Sequence, residues 1–155
     1  METTHKINKV ELRNLRMEDY DQLAKSFKRI YADHDVFWTH EQIKTLITIF
    51  PEGQVVIIVD DKIVGCALSI IVNYNMVKGD HTYAQVTGNE TFNTHDANGN
   101  ILYGIEVFIH PDYRGLRLAR RMYEYRKELC EKLNLKAIMF GGRIPNYHKY
   151  GACGL

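Results

Sequence analysis

The spacing of apolar residues changes along the first fifty positions, and each spacing predicts a different element. Apolar and polar residues alternate over 9–15, as they do in a short strand. Residues 17–31 carry apolar side chains on one face of a predicted helix: Tyr20, Leu23, Phe27 and Ile30. A second helix is predicted after Thr39, because Gln42 follows three residues later as in a capping box, and Pro51 ends it.

The middle of the chain predicts a hairpin followed by a polar excursion. The segment 54–74 consists of two runs rich in β-branched residues, and Asp60-Asp61 between them favours a tight turn. Residues 75–100 are mostly polar, so we expect an exposed excursion with a short strand at 82–86. An Asn-Gly pair near its end predicts a tight turn.

The last third of the chain predicts a strand, a long helix and a further strand. Residues 101–110 read ILYGIEVFIH, and Gly104 inside this strand indicates a bulge or the close approach of another group. Apolar residues line one face of a helix over 116–133, and the strand LKAIMF follows at 135–140. This order predicts a single mixed α/β domain over residues 1–155, with helices on the faces of a sheet.

Composition limits the classes of protein to which the chain can belong. It has 155 residues, of which 45% are hydrophobic and 25% charged, and these are values of one globular domain. The net charge of +1 gives no general attraction to nucleic acid or to a membrane. The three cysteines form no CxxC pair, and no apolar run has membrane-spanning length, so we expect a reduced, cytoplasmic protein.

The segment HPDYRGLRLARR at 110–121 places four arginines around a glycine, between a strand and a helix. The first N–H groups of a helix have no intrahelical partner and carry partial positive charge, so this turn can bind a phosphate or pyrophosphate. Gly115 allows a ligand to approach the backbone closely. Arg114 adds a positive charge, and its guanidinium group can donate two parallel hydrogen bonds to a phosphate. The alternative is a solvated helix start whose arginines pair with nearby glutamates, and the residue pattern leaves both open.

The same segment resembles the acetyl-CoA signature Q/R-x-x-G-x-G/A of the GNAT-superfamily acetyltransferases. The order of elements is also similar from the first strand to the fifth, which implies an α+β fold with a mixed, mostly antiparallel central sheet. The resemblance implies acetyl-CoA as cosubstrate, with its pantetheine arm along the fourth strand and its pyrophosphate on the turn. The positions implied are Val107, Phe108 and Ile109 for the arm, and Arg114, Gly115, Leu116, Arg117, Leu118 and Ala119 for the pyrophosphate. Arg117 departs from the signature, because the family prefers glycine there.

Residues 102–150 are more specifically similar to the acetyltransferase-like domain at the N-terminus of some nitrilase-related carbon–nitrogen hydrolases. Family members continue with two further strands, so the resemblance implies a sheet that lacks its last two strands. The strand 135–140 is apolar on both faces and would then form an open edge. We expect a two-fold dimer to cover this edge, and the alternative is that the tail 141–155 covers it.

Acetyl transfer to an amine needs a base for the ammonium proton and an acid for the leaving thiolate. The resemblance places a carboxylate base near Glu106, although a solvent-facing or lysine-paired glutamate explains this position equally well. His110 is a second candidate for the base, and its alternative is a solvated histidine at a strand end. For the acid, the resemblance favours Tyr150 over Tyr147, and Arg143 replaces an asparagine that the family carries after the fifth strand.

The predicted function is therefore an acetyl-CoA-dependent N-acetyltransferase that acts on a primary amine of a small molecule or protein. The alternative is a non-catalytic module that binds CoA or a partner chain, because Arg117 and Arg143 depart from the family pattern. Nucleic acid and membrane are not predicted as partners, since the net charge is near zero and no base-stacking motif accompanies the arginines. The histidines have no metal-binding spacing, so no metal is predicted.

Overall fold

The computed structural model describes residues 9–31, 37–77, 83–140 and 153–154, and a single sheet of six strands runs through them. In sheet order the strands are β1 (Val10–Asn14), β2 (Val55–Val59), β3 (Lys62–Val72), β4 (Ile101–Ile109), β5 (Ala137–Phe140) and β6 (Cys153–Gly154). All neighbouring strands are antiparallel except β4 and β5, which are parallel. The predicted mixed, mostly antiparallel sheet is confirmed.

Helices cover both faces of this sheet. They are α1 (Tyr20–Tyr31), α2 (His40–Ile49), α3 (Tyr74–Val77), α4 (Tyr83–Thr87) and α5 (Leu118–Lys132), with 3₁₀ turns at Met17–Asp19, Pro51–Gly53 and Pro111–Leu116. Leu23 and Phe27 of α1 and Leu46 of α2 are buried in the core on one face. Leu118 and Met122 of α5 pack on the other face, where α5 forms the crossover between parallel strands. All residues of β2 are buried because both of its faces are covered.

Two local predictions are confirmed by backbone geometry and hydrogen bonds. Asp60 and Asp61 have φ of 47° and 71°, which are the positive values that a two-residue hairpin turn between β2 and β3 requires. At the start of α2, the Thr39 hydroxyl accepts a hydrogen bond from the Gln42 N–H at 3.1 Å. The Gln42 side chain accepts one from the Thr39 N–H at 2.8 Å, which completes the capping box.

The predicted strand at 82–86 is wrong, because α4 lies there. A strand would place Val86 and its neighbours in a ladder, whereas the single helical turn directs Val86 into the core. Phe92 is buried as well, with its ring centroid 5.5 Å from that of Trp38. The excursion is therefore packed onto the domain rather than exposed throughout.

The end of the excursion is fastened to β3. The Gly99 N–H donates to the Asp96 carbonyl at 2.8 Å, which confirms the predicted tight turn at Asn98-Gly99. The Asp96 N–H donates to the Ile71 carbonyl at 2.8 Å, and His95 Nδ1 accepts from the Ile71 N–H at 3.0 Å. Burial lowers the pKa of His95, which favours the neutral ring that this acceptor role requires.

The edge of the sheet beside β5 corrects one expectation. Ala137 pairs with Gly154 and Ile138 with Cys153, so a short strand from the tail covers the first half of β5. The sheet thus does not end at β5. The tail covers this part of the edge, as the alternative to the dimer predicted. A two-fold dimer at this edge stays a prediction.

The entry to α1 contains a partly buried ion pair. Both guanidinium ends of Arg13 donate to the Asp19 carboxylate, at 2.8 and 2.9 Å, and the Arg16 N–H donates to it at 2.8 Å. Burial raises the pKa of Asp19, but the hydrogen bonds from Arg13 and Arg16 outweigh it and the net pKa is lowered. A carboxyl group whose pKa is lower in the folded state stabilises the fold at neutral pH, and this contribution is lost on acidification.

We expect Asp19→Asn to lower the free energy of unfolding by about 2 kcal/mol at pH 7, since hydrogen bonds to a charged group are lost. The difference between wild type and variant should begin to shrink as the pH falls below about 4, where Asp19 becomes protonated in the unfolded chain, and should vanish below the lowered pKa of the folded state. Urea denaturation of both proteins at several pH values measures this difference. A difference that is the same at pH 3 and pH 7 would contradict the assignment.

Candidate active site

β4 carries the candidate site, and a bulge interrupts its pairing with β3. Leu68 lies opposite Glu106, and the next residue, Ser69, lies opposite Gly104, so β4 has one extra residue at this point. The bulge predicted from Gly104 is therefore confirmed next to it. In a regular strand Ile105 and Glu106 would face opposite sides of the sheet, but the bulge turns both toward the face covered by α1 and α2.

The parallel pairing of β4 with β5 is short. It extends from Ile101 opposite Ala137 to Gly104 opposite Phe140, whereas β4 continues to Ile109. The sequence predicts that a ligand enters where these strands separate beyond Gly104. The segment that follows Phe140 lies outside the described residues, so this remains a prediction.

Glu106 is buried, and its carboxylate is held by an indole. Its side chain is 1% exposed, and Glu106 Oε1 accepts a hydrogen bond from Trp38 Nε1 at 3.0 Å. Trp38 is itself 2% exposed and lies in the segment before α2, 68 residues away in sequence. The alternative of a solvent-facing glutamate is thereby excluded. A donor at this distance stabilises the ionised carboxylate in surroundings where burial alone would penalise it.

Neighbouring groups show how apolar the surroundings of Glu106 are. Cys66 on β3 is fully buried, and burial, with the charge of Glu106 as a smaller cause, raises its pKa well above the ordinary value. Burial also raises the pKa of Tyr103, on the same strand as Glu106, to about 12. Both groups are therefore neutral at physiological pH, so neither places a second negative charge beside Glu106.

Trp38 is held in place from two directions. The Tyr20 hydroxyl, on α1, donates to the Trp38 carbonyl at 2.7 Å. Phe92, from the excursion before β4, packs against the indole with a tilted geometry. Because α1 and the excursion both hold Trp38, its N–H is directed at Glu106 without a large loss of conformational freedom.

A second buried charge lies on the opposite face of the same bulge. Arg126 of α5 is 3% exposed, and its Nη2 donates to the Leu68 carbonyl at 3.3 Å. Its guanidinium carbon lies 5.5 Å from the centroid of the Phe140 ring, and burial lowers its pKa to about 10. Sequence analysis missed this residue, although its spacing of four from Met122 and three from Leu129 places it on the buried face of α5.

The turn after β4 leads into α5 through one residue, Arg117, whose backbone is left-handed. His110 Nδ1 accepts from the Asp112 N–H at 3.2 Å and caps the 3₁₀ turn Pro111–Leu116. Arg117 follows with φ 60° and ψ 27°, in the left-handed region, and α5 begins at Leu118 rather than at the predicted position 116. This conformation gives a physical reason for the glycine that the resemblance implies at position 117, because glycine adopts it without strain.

The remaining predicted cosubstrate residues lie in different surroundings. Phe108 is packed in the core on the α1 side, with its ring 5.5 Å from that of Phe27, so the strand can offer a ligand its backbone there but not this ring. Val107 and Ala119 are partly buried on the α5 side, and Leu118 is fully buried there and anchors the first turn of α5. Ile109 is buried on this side as well. For Arg114, Gly115 and Leu116 the structure describes the backbone only.

Arg120 supports the solvated interpretation for one of the four arginines, since its Nε lies 3.9 Å from Glu124 Oε2 in an exposed pair. Tyr147 and Tyr150, the candidates for the acid that the resemblance implies, and Arg143, which replaces an asparagine of the family, lie outside the described residues. Among the residues that are described, no group of three His, Cys, Asp or Glu side chains could hold a metal ion. The helices in those same ranges are too short or too polar to cross a membrane.

Replacing Arg117 by glycine should stabilise the fold by about 0.5–1 kcal/mol, because the strain of a left-handed non-glycine residue is relieved. Arg120→Gly is a matched control, since it removes the same side chain within the helix and should destabilise by about 1 kcal/mol. Thermal or urea unfolding measures both changes. A lower stability for Arg117→Gly than for the wild type would contradict the assigned conformation.

These features agree with the result of comparing the sequence with protein families. The model of the Acetyltransferase (GNAT) family matches residues 10–153, so the chain belongs to the GNAT family. It is 37% identical over 142 residues to the probable hydrolase YhcX of Bacillus subtilis (strain 168), covering 92% of this chain and 28% of YhcX. It is 29% identical over 148 residues to the uncharacterized N-acetyltransferase YkwB of the same organism, covering 94% and 66% of the two chains. The chain thus spans less than a third of one relative and about two thirds of the other.

Solved structures show the same fold. The loading GNATL domain of CurA from Lyngbya majuscula superposes with a TM-score of 0.71 at 23% identity, over 92% of this chain and 69% of that one. The GphF GNAT-like decarboxylase in complex with isobutyryl-CoA gives a TM-score of 0.68 at 16% identity, over 90% and 69%. The fold inferred from the turn and the order of elements is therefore confirmed.

Proposed function

We propose that the chain transfers an acetyl group from acetyl-CoA to a primary amine of a small molecule or protein. Membership of the GNAT family supports acyl transfer in general, and the GphF complex with isobutyryl-CoA supports a CoA thioester as the donor. The observation that carries the proposal is Glu106, a buried carboxylate that Trp38 holds at the bulge of β4. Such a carboxylate is suited to accept a proton from a substrate.

The reaction requires a nucleophilic amine. In this proposal Glu106 accepts one proton from the substrate ammonium, and the freed nitrogen lone pair attacks the thioester carbonyl. The carbon–sulfur bond breaks, and the nitrogen gives up its second proton as the amide forms. The CoA thiolate takes a proton from Tyr150, the proposed acid, and the second proton of the nitrogen restores the Tyr150 hydroxyl. Trp38 keeps the Glu106 carboxyl group oriented before the reaction, because its N–H donates to Oε1.

The turn after β4 is the proposed site for the pyrophosphate of the cosubstrate. α5 begins at Leu118, and its first backbone N–H groups, including those of Leu118 and Ala119, have no carbonyl acceptor within the helix. They combine with the partial positive charge of the helix start to favour an anion. Glu106 and this turn lie on the same strand and its continuation, so one element positions both the base and the cosubstrate.

An assay of CoA-thiol release with acetyl-CoA and a panel of amines tests the proposal, with mass spectrometry to identify the acetylated product. Amine-dependent release supports it. Binding of acetyl-CoA without release for any amine would instead support the non-catalytic module. Absence of both binding and release would refute CoA-dependent chemistry for this chain.

The placement of the cosubstrate can be tested by Gly115→Val. A β-branched residue restricts the backbone of the turn and fills the space through which a ligand approaches, so we expect affinity for acetyl-CoA to fall at least about tenfold. Arg120→Ala is the control, because Arg120 is exposed and paired with Glu124, and its affinity should change little. Calorimetry measures both, and equal affinity of wild type and Gly115→Val would remove the turn from the site.

A further inference from the structure

A cavity of about 470 Å³ lies on the α1 side of the β4 end, away from the β5 side of that strand. Its walls are α1, the turn between β2 and β3, and the residues that follow β4. His110, Asp112 and Tyr113 line it and directly precede the proposed pyrophosphate turn. Cavities of this volume accommodate small ligands.

Three permanent cations line the cavity from two elements. Lys25 and Arg29 are one helical turn apart on α1, and Lys62 begins β3. In the described part of the chain none of the three has an acidic side chain within ion-pair distance. Like charges at a spacing of four residues repel each other slightly, and a bound anion would remove this repulsion.

The acidic groups of the cavity do not cancel these charges. Among the described residues of its lining the carboxylates are Asp61 and Asp112, so the three cations and two anions there leave a net charge of +1. Asp112 Oδ2 lies 3.7 Å from His110 Nδ1, which directs part of its field toward that ring.

The wall that carries the cations is fixed by hydrogen bonds to β3. Gln22 Oε1 accepts from the Ile63 N–H at 2.7 Å, and Ser26 Oγ donates to the Ile63 carbonyl at 2.9 Å. These bonds occupy the β3 edge beyond its last pair with β4, Gly65 opposite Ile109. The side of α1 that presents Lys25 and Arg29 is thereby held at a set distance from Lys62, which favours binding because less ordering is needed.

We propose that this cavity binds a phosphate monoester through Arg29, Lys25 and Lys62. Arginine and lysine are the side chains that recognise phosphate, and their separate positions surround a group with several acceptor oxygens. Two sources share this chemistry: the 3′-phosphate of CoA, whose pyrophosphate would lie on the adjoining turn, and a free phosphorylated metabolite. The first source rests on the proposed function and the second does not.

The experiment compares CoA with dephospho-CoA, which lacks only the 3′-phosphate, by calorimetry. If the cavity holds this group, the wild type should bind CoA roughly tenfold more tightly, as loss of a charge-assisted contact implies. The variant Arg29→Gln/Lys62→Gln should bind both compounds equally. The control Lys28→Gln/Lys44→Gln removes two exposed positive charges outside the cavity and should keep the preference.

Inorganic phosphate tests the second source through the melting temperature. Phosphate that stabilises the wild type and the control but not Arg29→Gln/Lys62→Gln, with equal affinities for CoA and dephospho-CoA, identifies a free phosphorylated ligand. If neither nucleotide binds, the proposed function fails, and the phosphate measurement alone decides on the cavity. Equal nucleotide affinities in the wild type with no phosphate effect, or effects shared by all three proteins, overturn the proposal.

Discussion

Glu106→Gln is expected to lower turnover with acetyl-CoA and an amine at least about 100-fold, which is the usual contribution of a general base. Glutamine has nearly the same shape, and its carbonyl oxygen can still accept the hydrogen bond from Trp38 Nε1. It cannot take a proton from the substrate ammonium. Steady-state kinetics should therefore show a loss in kcat, whereas calorimetry should show acetyl-CoA affinity within about threefold of the wild type.

Glu124→Gln is the matched control for this experiment. Glu124 lies exposed on α5, where it pairs with Arg120 in solvent, so the same chemical change there should leave turnover unchanged. Melting temperatures of both variants separate a loss of catalysis from a loss of folding. If Glu106→Gln is folded and keeps more than about a tenth of wild-type turnover, Glu106 is a structural residue rather than the base.

Trp38→Phe is expected to lower the free energy of unfolding by about 2 kcal/mol, because it leaves a buried carboxylate without one of its donors. An aromatic ring that can pack against Phe92 is kept, but phenylalanine is smaller than the buried indole, so the cost includes lost packing as well as the lost N–H. We also expect kcat to fall about tenfold, since Glu106 is less firmly oriented. Urea denaturation followed by circular dichroism and steady-state kinetics measure the two effects.

The coupling between the two residues distinguishes this explanation from a general packing defect. In a Glu106→Gln background the charge is already gone, so Trp38→Phe should cost less stability than it does in the wild type. Tyr125→Phe is a control far from the site, because it removes only the hydroxyl that accepts from Asn14. Additive losses for Trp38 and Glu106 would show that the hydrogen bond between them contributes nothing specific.

The elements that sequence analysis predicted correctly are those with local causes. The capping box at Thr39 and the hairpin at Asp60-Asp61 depend on residues a few positions apart, and periodicity identified α1 and α5. The prediction of a short strand at 82–86 was wrong because the segment is too short to show a clear periodicity of apolar residues. What placed Val86 in the core was packing against distant elements, which a local pattern does not contain.

The candidate site could be predicted only in part, for a related reason. The resemblance implied Glu106 and the turn, which lie in one continuous strand and helix start, and their roles stay predictions. It did not reveal Trp38 as the donor, since this contact joins residues 68 positions apart and depends on a bulge that reverses the face of Glu106. The helical spacing places Arg126 on the buried face of α5, but an arginine is rarely buried, so its residue type alone favours an exposed position.

The position of Trp38 has a practical consequence, because it is the single tryptophan of the chain. Intrinsic fluorescence excited at the indole therefore comes from one buried residue in contact with the proposed base. Emission typical of an apolar environment is expected in the folded protein, with a red shift on unfolding. If an acceptor binds in contact with Glu106, as proposed, the intensity or wavelength should change, so amines can be screened as ligands without a label and without turnover.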